Sequence, residues 1–229
     1  MPMRHLHILA AFSLGLVACS RDLTSNSTPG TSGTSGSTTA LNIGADSALA
    51  NQTAVVGTAV VGKVHVTQLG QPVPGIAVNW IPSPGGGSVS PTSSTTDAGG
   101  VATTTWTLGD TARAYSLTAA ISTASVGLQA TAIAGPAATL SKVGPDSVIV
   151  AAGASTLLTV RAADKLGNSV GGIVLTWATT GGGLTANSTT TGASGKAEVV
   201  FSSNPTPQTY TVTATAAGLG TQSFVVLAQ

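Results

Sequence analysis

The sequence predicts an all-β protein: two tandem antiparallel β-sandwiches of about seven strands each, preceded by a polar N-terminal segment. Three observations predict it. Only 7% of residues are charged and 3% aromatic, and Gly, Ala, Ser, Thr and Val dominate, a composition that favours strands over helices. Apolar and polar residues alternate over short runs bounded by turn residues. The same landmarks are also written twice. GQPVPGIAVNW, Gly70–Trp80, returns as GNSVGGIVLTW, Gly167–Trp177. The spacing is roughly 95–100 residues, a whole domain rather than a solenoid turn.

The N-terminus is read first. Met1–His7 carries one Arg, and Ile8–Val17 is mostly apolar. That run is about half the length a bilayer span needs, so residues 1–18 read as a signal peptide. The peptide ends Leu16-Val17-Ala18-Cys19, which resembles the bacterial lipobox. The resemblance implies that Cys19 is acylated and partners membrane lipid. Ser20, rather than Asp, at the next position implies sorting to the outer membrane. An ordinary secretory peptide with an incidental Cys is the alternative. Cys19 is the only cysteine, so the sandwiches are expected to hold without a disulfide. Net charge is +1 with no basic run, which argues against nucleic acid as a partner.

Residues 19–37 have almost no apolar side chain, so their composition predicts a flexible tether. Twenty residues of such coil span roughly 25 Å. The first sandwich is assigned to residues 38–136 and the second to 137–229. Gly44-Ala45-Asp46-Ser47 is matched with Gly144-Pro145-Asp146-Ser147, Gly85-Gly86-Gly87 with Gly181-Gly182-Gly183, and Asp97-Ala98-Gly99-Gly100 with Gly192-Ala193-Ser194-Gly195.

Register gives the core. Ala102, Thr104, Trp106 and Leu108 share one face of a strand. In the second copy Ala197, Val199 and Phe201 take that face, while Lys196 and Glu198 take the other. Trp106 and Phe201 therefore point inward. Tyr115 and Leu117 do likewise, with Tyr210 the counterpart of Tyr115.

The run V-x-G-I-x-V/L-x-W, then GGG, then TTDAGG-V-A, then Y-x-L/V-T-A resembles the group 1 bacterial immunoglobulin-like domains, the repeats of invasin and intimin stalks. The likeness covers both copies. It implies Ig-like sandwiches in a non-enzymatic cell-surface protein, acting as an adhesion or structural spacer module. Trp80 and Trp177 would be the core tryptophans of strand C, and Tyr115 and Tyr210 the tyrosines near the start of strand F. Leu117 and Val212 stand where antibody domains place a cysteine.

Nothing in the sequence marks catalytic chemistry, a cofactor or a metal. His65, in Val64-His65-Val66, reads as an outward strand residue. Asp46 and Asp146 invite a calcium site, but read better as Asx-turn residues. The glycine runs lack the pattern of a phosphate cradle. A loop-mediated binder of a specific glycan or envelope protein is the alternative function. The contact surface expected is the E–F loop of the second copy: Ser202, Ser203, Asn204, Pro205, Thr206, Pro207 and Gln208. It should lie at the pole far from Cys19, beside the turn 151–154. Its counterpart, Gly109–Arg113, should face the inter-domain joint.

Overall fold

A computed structural model describes residues 40–229. Cys19, the signal peptide and the tether lie outside them. The first sandwich is built from β1 (Asn42–Ala45), β2 (Asn51–Val55), β3 (Ala59–Gln68), β4 (Gln71–Pro72), β5 (Ala77–Pro82), β6 (Ser88–Ser90), β7 (Ser93–Thr95), β8 (Val101–Thr107), β9 (Ala114–Ala120) and β10 (Ser125–Ile133). The second is built from β11 (Thr139–Val143), β12 (Ser147–Val150), β13 (Ser155–Ala163), β14 (Val174–Thr179), β15 (Gly183–Leu184), β16 (Ser188–Thr190), β17 (Lys196–Ser202), β18 (Gln208–Ala216) and β19 (Gly220–Ala228). No helix occurs among the described residues.

Each sandwich has two sheets. In the first they run β1-β3-β8-β6, with β4 on β3, and β2-β10-β9-β5-β7. In the second they run β11-β13-β17-β15 and β12-β19-β18-β14-β16. Alternation decides which face is buried: β8 reads Ala102, Thr104 and Trp106 inward with Thr103 and Thr105 exposed, and β17 reads Ala197, Val199 and Phe201 inward with Lys196 and Glu198 exposed.

The two cores are separate. Trp80, Trp106, Tyr115, Leu117 and Leu128 belong to one, and Trp177, Phe201, Tyr210, Val212 and Phe224 to the other. Phe201 and Tyr210 pack with centroids 5.1 Å apart, and Trp177 stacks on Phe224 at 6.3 Å. The cores fill one layer differently. A Cβ on Gly62 would lie 2.9 Å from Thr104 and 3.4 Å from Trp80. Leu158 takes the equivalent place in the second sandwich, opposite Val199 as Gly62 is opposite Thr104. The residue facing inward one rung along from each partner is Trp106 in the first and Phe201 in the second, so volume is exchanged rather than lost.

Pairing is antiparallel with one exception per sandwich. The first strand is split. β1 pairs antiparallel with β3, then the chain crosses and β2 pairs parallel with β10. β11 and β12 repeat this against β13 and β19. The antiparallel sandwiches expected from sequence thus carry one parallel pair each at the split first strand, and the breaks have local causes. Asp46 Oδ1 accepts from Ala48 N at 3.0 Å and turns the chain out of β1. Gly144, at φ 112°, and Pro145, which has no N–H, end β11.

Register also corrects two matches made from sequence. Asp46 N donates to Lys63 O, but the residue at that rung in the second sandwich is Val143, opposite Thr159. GADS and GPDS are therefore not equivalent, because the crossings between sheets differ in length. The glycine runs are displaced by one residue. Val89 opposes Trp106 as Leu184 opposes Phe201, which makes Gly87 the counterpart of Gly182.

Candidate functional site

Three places gather polar groups: the far pole of the second sandwich, the joint between sandwiches, and the Asp46 cluster.

At the far pole the E–F loop is fixed by the turn beside it. Ser203 N donates to Ala154 O at 2.9 Å, and Gly153 N donates to Asn204 O at 2.8 Å. Ser203 Oγ donates to Ala154 O at 3.1 Å. Tyr210 Oη, at the start of β18, accepts from Asn204 N at 3.0 Å. A tyrosine with its ring in the core and its hydroxyl on the loop backbone fixes the point where the chain changes sheets. Ala152 N donates to Gln229 O at 3.1 Å, which brings the last residue of the chain to the same pole. The expectation of seven exposed residues is narrowed. Ser202 ends β17 half-buried and bonded to Ser155 Oγ, and Ser203 is buried. Asn204, Pro205, Thr206, Pro207 and Gln208 are exposed. Two prolines in five residues keep them ordered without an added ladder.

At the joint the geometry is closer. Asp164–Asn168 forms a three-residue hairpin loop between β13 and the stretch leading to β14. Asp164 N donates to Asn168 O at 2.9 Å, Gly167 N donates to Asp164 O at 3.1 Å, and Gly167 sits at φ 85°. Asp164 is 3% exposed. Oδ1 accepts from Leu166 N and Asn168 N at 2.9 and 2.8 Å; Oδ2 accepts from Gly135 N at 2.9 Å and Asn168 Nδ2 at 3.0 Å. Burial pushes this carboxyl up, but the bonds from Asn168 and from the Gly135, Asn168 and Leu166 N–H groups outweigh it. The group is held below the ordinary carboxylate value. Asn168 then reaches the first sandwich: Oδ1 accepts from Ala112 N at 2.8 Å and Nδ2 donates to Asp110 O at 2.9 Å. Gly109–Arg113 thus lies at the joint. A crevice of about 450 Å³ opens beside it, lined by Val55, Val56, Pro136, Lys165 and Leu166 among others.

Sequence reasoning did not single out Asp164 or Asn168. The signal was present as D-x-x-G-N between two alternating runs, the residues a three-residue hairpin with a left-handed fourth position requires.

The Asp46 cluster is small. Asp46 Oδ2 lies 3.0 Å from Lys63 Nζ and 3.6 Å from His65 Nε2. The Lys63 ammonium, then the Ala48 N–H, hold the Asp46 carboxyl below the ordinary value. Asp146 instead pairs with Lys142. Among the described residues, no three of His, Cys, Asp or Glu stand together as a metal site would need.

The split first strand, the two facing sheets and a tyrosine at the head of β9 and β18 define a tandem of immunoglobulin-like sandwiches. Residues 142–226 match the bacterial Ig-like domain (group 1), and the second sandwich is a domain of that family, whose strand order the first repeats. Among solved structures, the Escherichia coli adhesin FdeC is similar at 22% identity and a TM-score of 0.59, over 82% of this chain and 62% of that one. Yersinia pseudotuberculosis InvD is similar at 19% identity and a TM-score of 0.53, over 82% and 57%. The D0-D1 domain of intimin matches at 21% identity and a TM-score of 0.34, over 81% and 94%. For FdeC and InvD, at these identities, the likeness is one of fold. The chain spans 62% of the FdeC chain and 57% of the InvD chain. No curated protein matches the sequence.

Proposed function

We propose that this chain is a non-enzymatic cell-surface lipoprotein whose tandem Ig-like sandwiches serve adhesion, displaying the far pole of the second sandwich away from an outer-membrane anchor at Cys19. The observation that carries the reading is the E–F loop of that sandwich. Its backbone is bonded to the neighbouring turn and to Tyr210, so Asn204–Gln208 is presented in a preset conformation. A preset contact loop loses little entropy on binding. It carries no charge, which favours an uncharged contact such as a neutral glycan or a polar protein face. The narrower alternative, a dedicated binder of one glycan or envelope protein, uses the same loop.

The experiment has two arms. The fragment Ser20–Gln229 is presented to envelope and extracellular material, with and without replacement of Asn204, Pro205 and Pro207. Binding that those replacements abolish supports display at the far pole. Binding that they spare and that changes at Asp97–Gly100 remove overturns it. In cells, Cys19→Ser should block acylation and release the protein from the outer-membrane fraction; unchanged fractionation and mobility would remove the anchor from the proposal.

A further inference from the structure

Among the described residues, Asn168 supplies the side-chain bonds that join the β13–β14 hairpin to the E–F loop of the first sandwich. Its amide reads a backbone carbonyl and a backbone N–H two residues apart, Asp110 O and Ala112 N. The amide is itself held by the buried Asp164 carboxylate, which also takes the N–H of Gly135 in the linker. One side chain thus fixes a position on the first sandwich, and the group orienting it also fixes the connection.

We propose that Asp164 and Asn168 form a lock specific to this joint, and that the outer poles of the tandem are built so that the same lock cannot form there. The first sandwich supplies the matching half, and equivalent positions in the second can be traced residue by residue. Gly57 N donates to Gly109 O as Gly153 N donates to Asn204 O. Tyr115 opposes Ala130 as Tyr210 opposes Val226. The loop from Gly109 to Tyr115 has the same length as that from Asn204 to Tyr210. Asp110 therefore corresponds to Pro205 and Ala112 to Pro207. Proline has no N–H, so the far pole presents the carbonyl without the donor.

The near pole of the first sandwich lacks the other half. Its hairpin turns on Leu69 and Gly70, at φ 52° and 79°, one residue shorter than the Asp164–Asn168 loop. The turn Gln68-Leu69-Gly70-Gln71 contains neither a carboxylate nor an asparagine. Each half of the lock occurs at one pole only. A head-to-tail contact repeated between copies would grow an open filament; among the described residues each outer pole lacks its half of this lock, so the contact joins sandwiches within a chain and not between chains. The inference rests on the joint and is independent of the adhesion reading.

The test uses the full chain carrying Cys19→Ser, with spin labels at Thr103→Cys and Lys196→Cys, both exposed and in different sandwiches. Electron–electron distance measurements report how widely the sandwiches move. The parent should give a narrow distribution. Asn168→Ala should broaden it, and so should Ala112→Pro, which copies at the joint what Pro207 places at the far pole. The double variant should be no broader than either single one, because both remove the same contact. Thermal melts establish that each variant is folded; if Ala112→Pro does not fold, Asn168→Ala decides. A folded Asn168→Ala or Ala112→Pro chain with an unchanged distribution, or a double variant broader than both, would overturn the lock.

Discussion

Trp177 Nε1 donates to Thr189 Oγ1 at 2.7 Å, and Trp80 Nε1 makes the corresponding bond to Ser94 Oγ at 2.9 Å. Each indole lies in its own core with its polar edge on the short outer strand, β16 or β7. The tryptophan therefore ties core packing to the pairing of an edge strand that has three residues.

Truncating a buried Trp typically costs about 3–5 kcal/mol. Trp177→Ala should unfold the second sandwich and largely spare the first, since the cores do not merge. Thr189→Val keeps the packing but removes the acceptor, and should cost about 1–3 kcal/mol. Urea unfolding followed by residue-resolved NMR would separate the two transitions. A Trp177→Ala protein as stable as the parent would refute the core assignment.

Gly87 is expected to be intolerant. Its φ is 91°, and a Cβ there would fall 1.9 Å from Thr107 O, where β6 meets β8. Gly87→Ala should destabilise by more than about 1 kcal/mol. Gly127→Ala, in β10 with nothing within 4 Å of the added carbon, should be neutral or slightly stabilising. Comparable midpoints for the two variants in thermal melts would contradict this geometry.

Tyr210→Phe removes the acceptor of Asn204 N and should leave the fold intact while loosening the far-pole loop. The loss is of the order of 1 kcal/mol. Hydrogen exchange should rise at Asn204 and its neighbours in the loop and stay constant in β14 and β19. Unchanged exchange at Asn204 would show that the turn at Gly153 alone sets the loop.

The two lowered carboxyls give a pH dependence of known sign. Asp164 and Asp46 both titrate below the ordinary value in the folded chain. Their contribution is present above the unfolded carboxylate pKa of about 3.9 and is lost as pH falls through the lower folded values. Acid should therefore loosen the joint before the cores melt. In Asp164→Asn, which has no charge to lose, the joint should show little change between neutral pH and pH about 3. Distance distributions across that range, read for both proteins, check it; a parent joint indifferent to acid would be the contrary result.

Much of the fold was legible because strand alternation has one period and the second copy resolved ambiguities in the first. Thr103 alone does not say which face of β8 is wet, but Lys196 and Glu198 do so for β17. The split first strand was not legible, since a strand that changes sheets keeps its alternation across the break. GADS and GPDS misled for a related reason: turn chemistry is common, and two Asp-Ser turns need not mark one rung. Asp164 and Asn168 escaped notice because their chemistry faces a neighbouring sandwich. The lone Asp of a hairpin and the lone Asn after it look alike whether they bond water or another domain.

The parallel pairs have a mechanical meaning. In each sandwich the strand entering from the near pole lies beside the strand leaving at the far pole, and both run the same way. Tension applied between the poles pulls these neighbours in opposite directions along their length, so the bonds between them are strained together in shear rather than opened one at a time. The ladder has five residue pairs between β2 and β10 and four between β12 and β19. Flanking bonds bring the two to the same length: Gln129 N donates to Ala50 O as Val225 N does to Asp146 O, and Val56 N donates to Ile133 O as Ala152 N does to Gln229 O, so both sandwiches meet a steady pull with matched clamps.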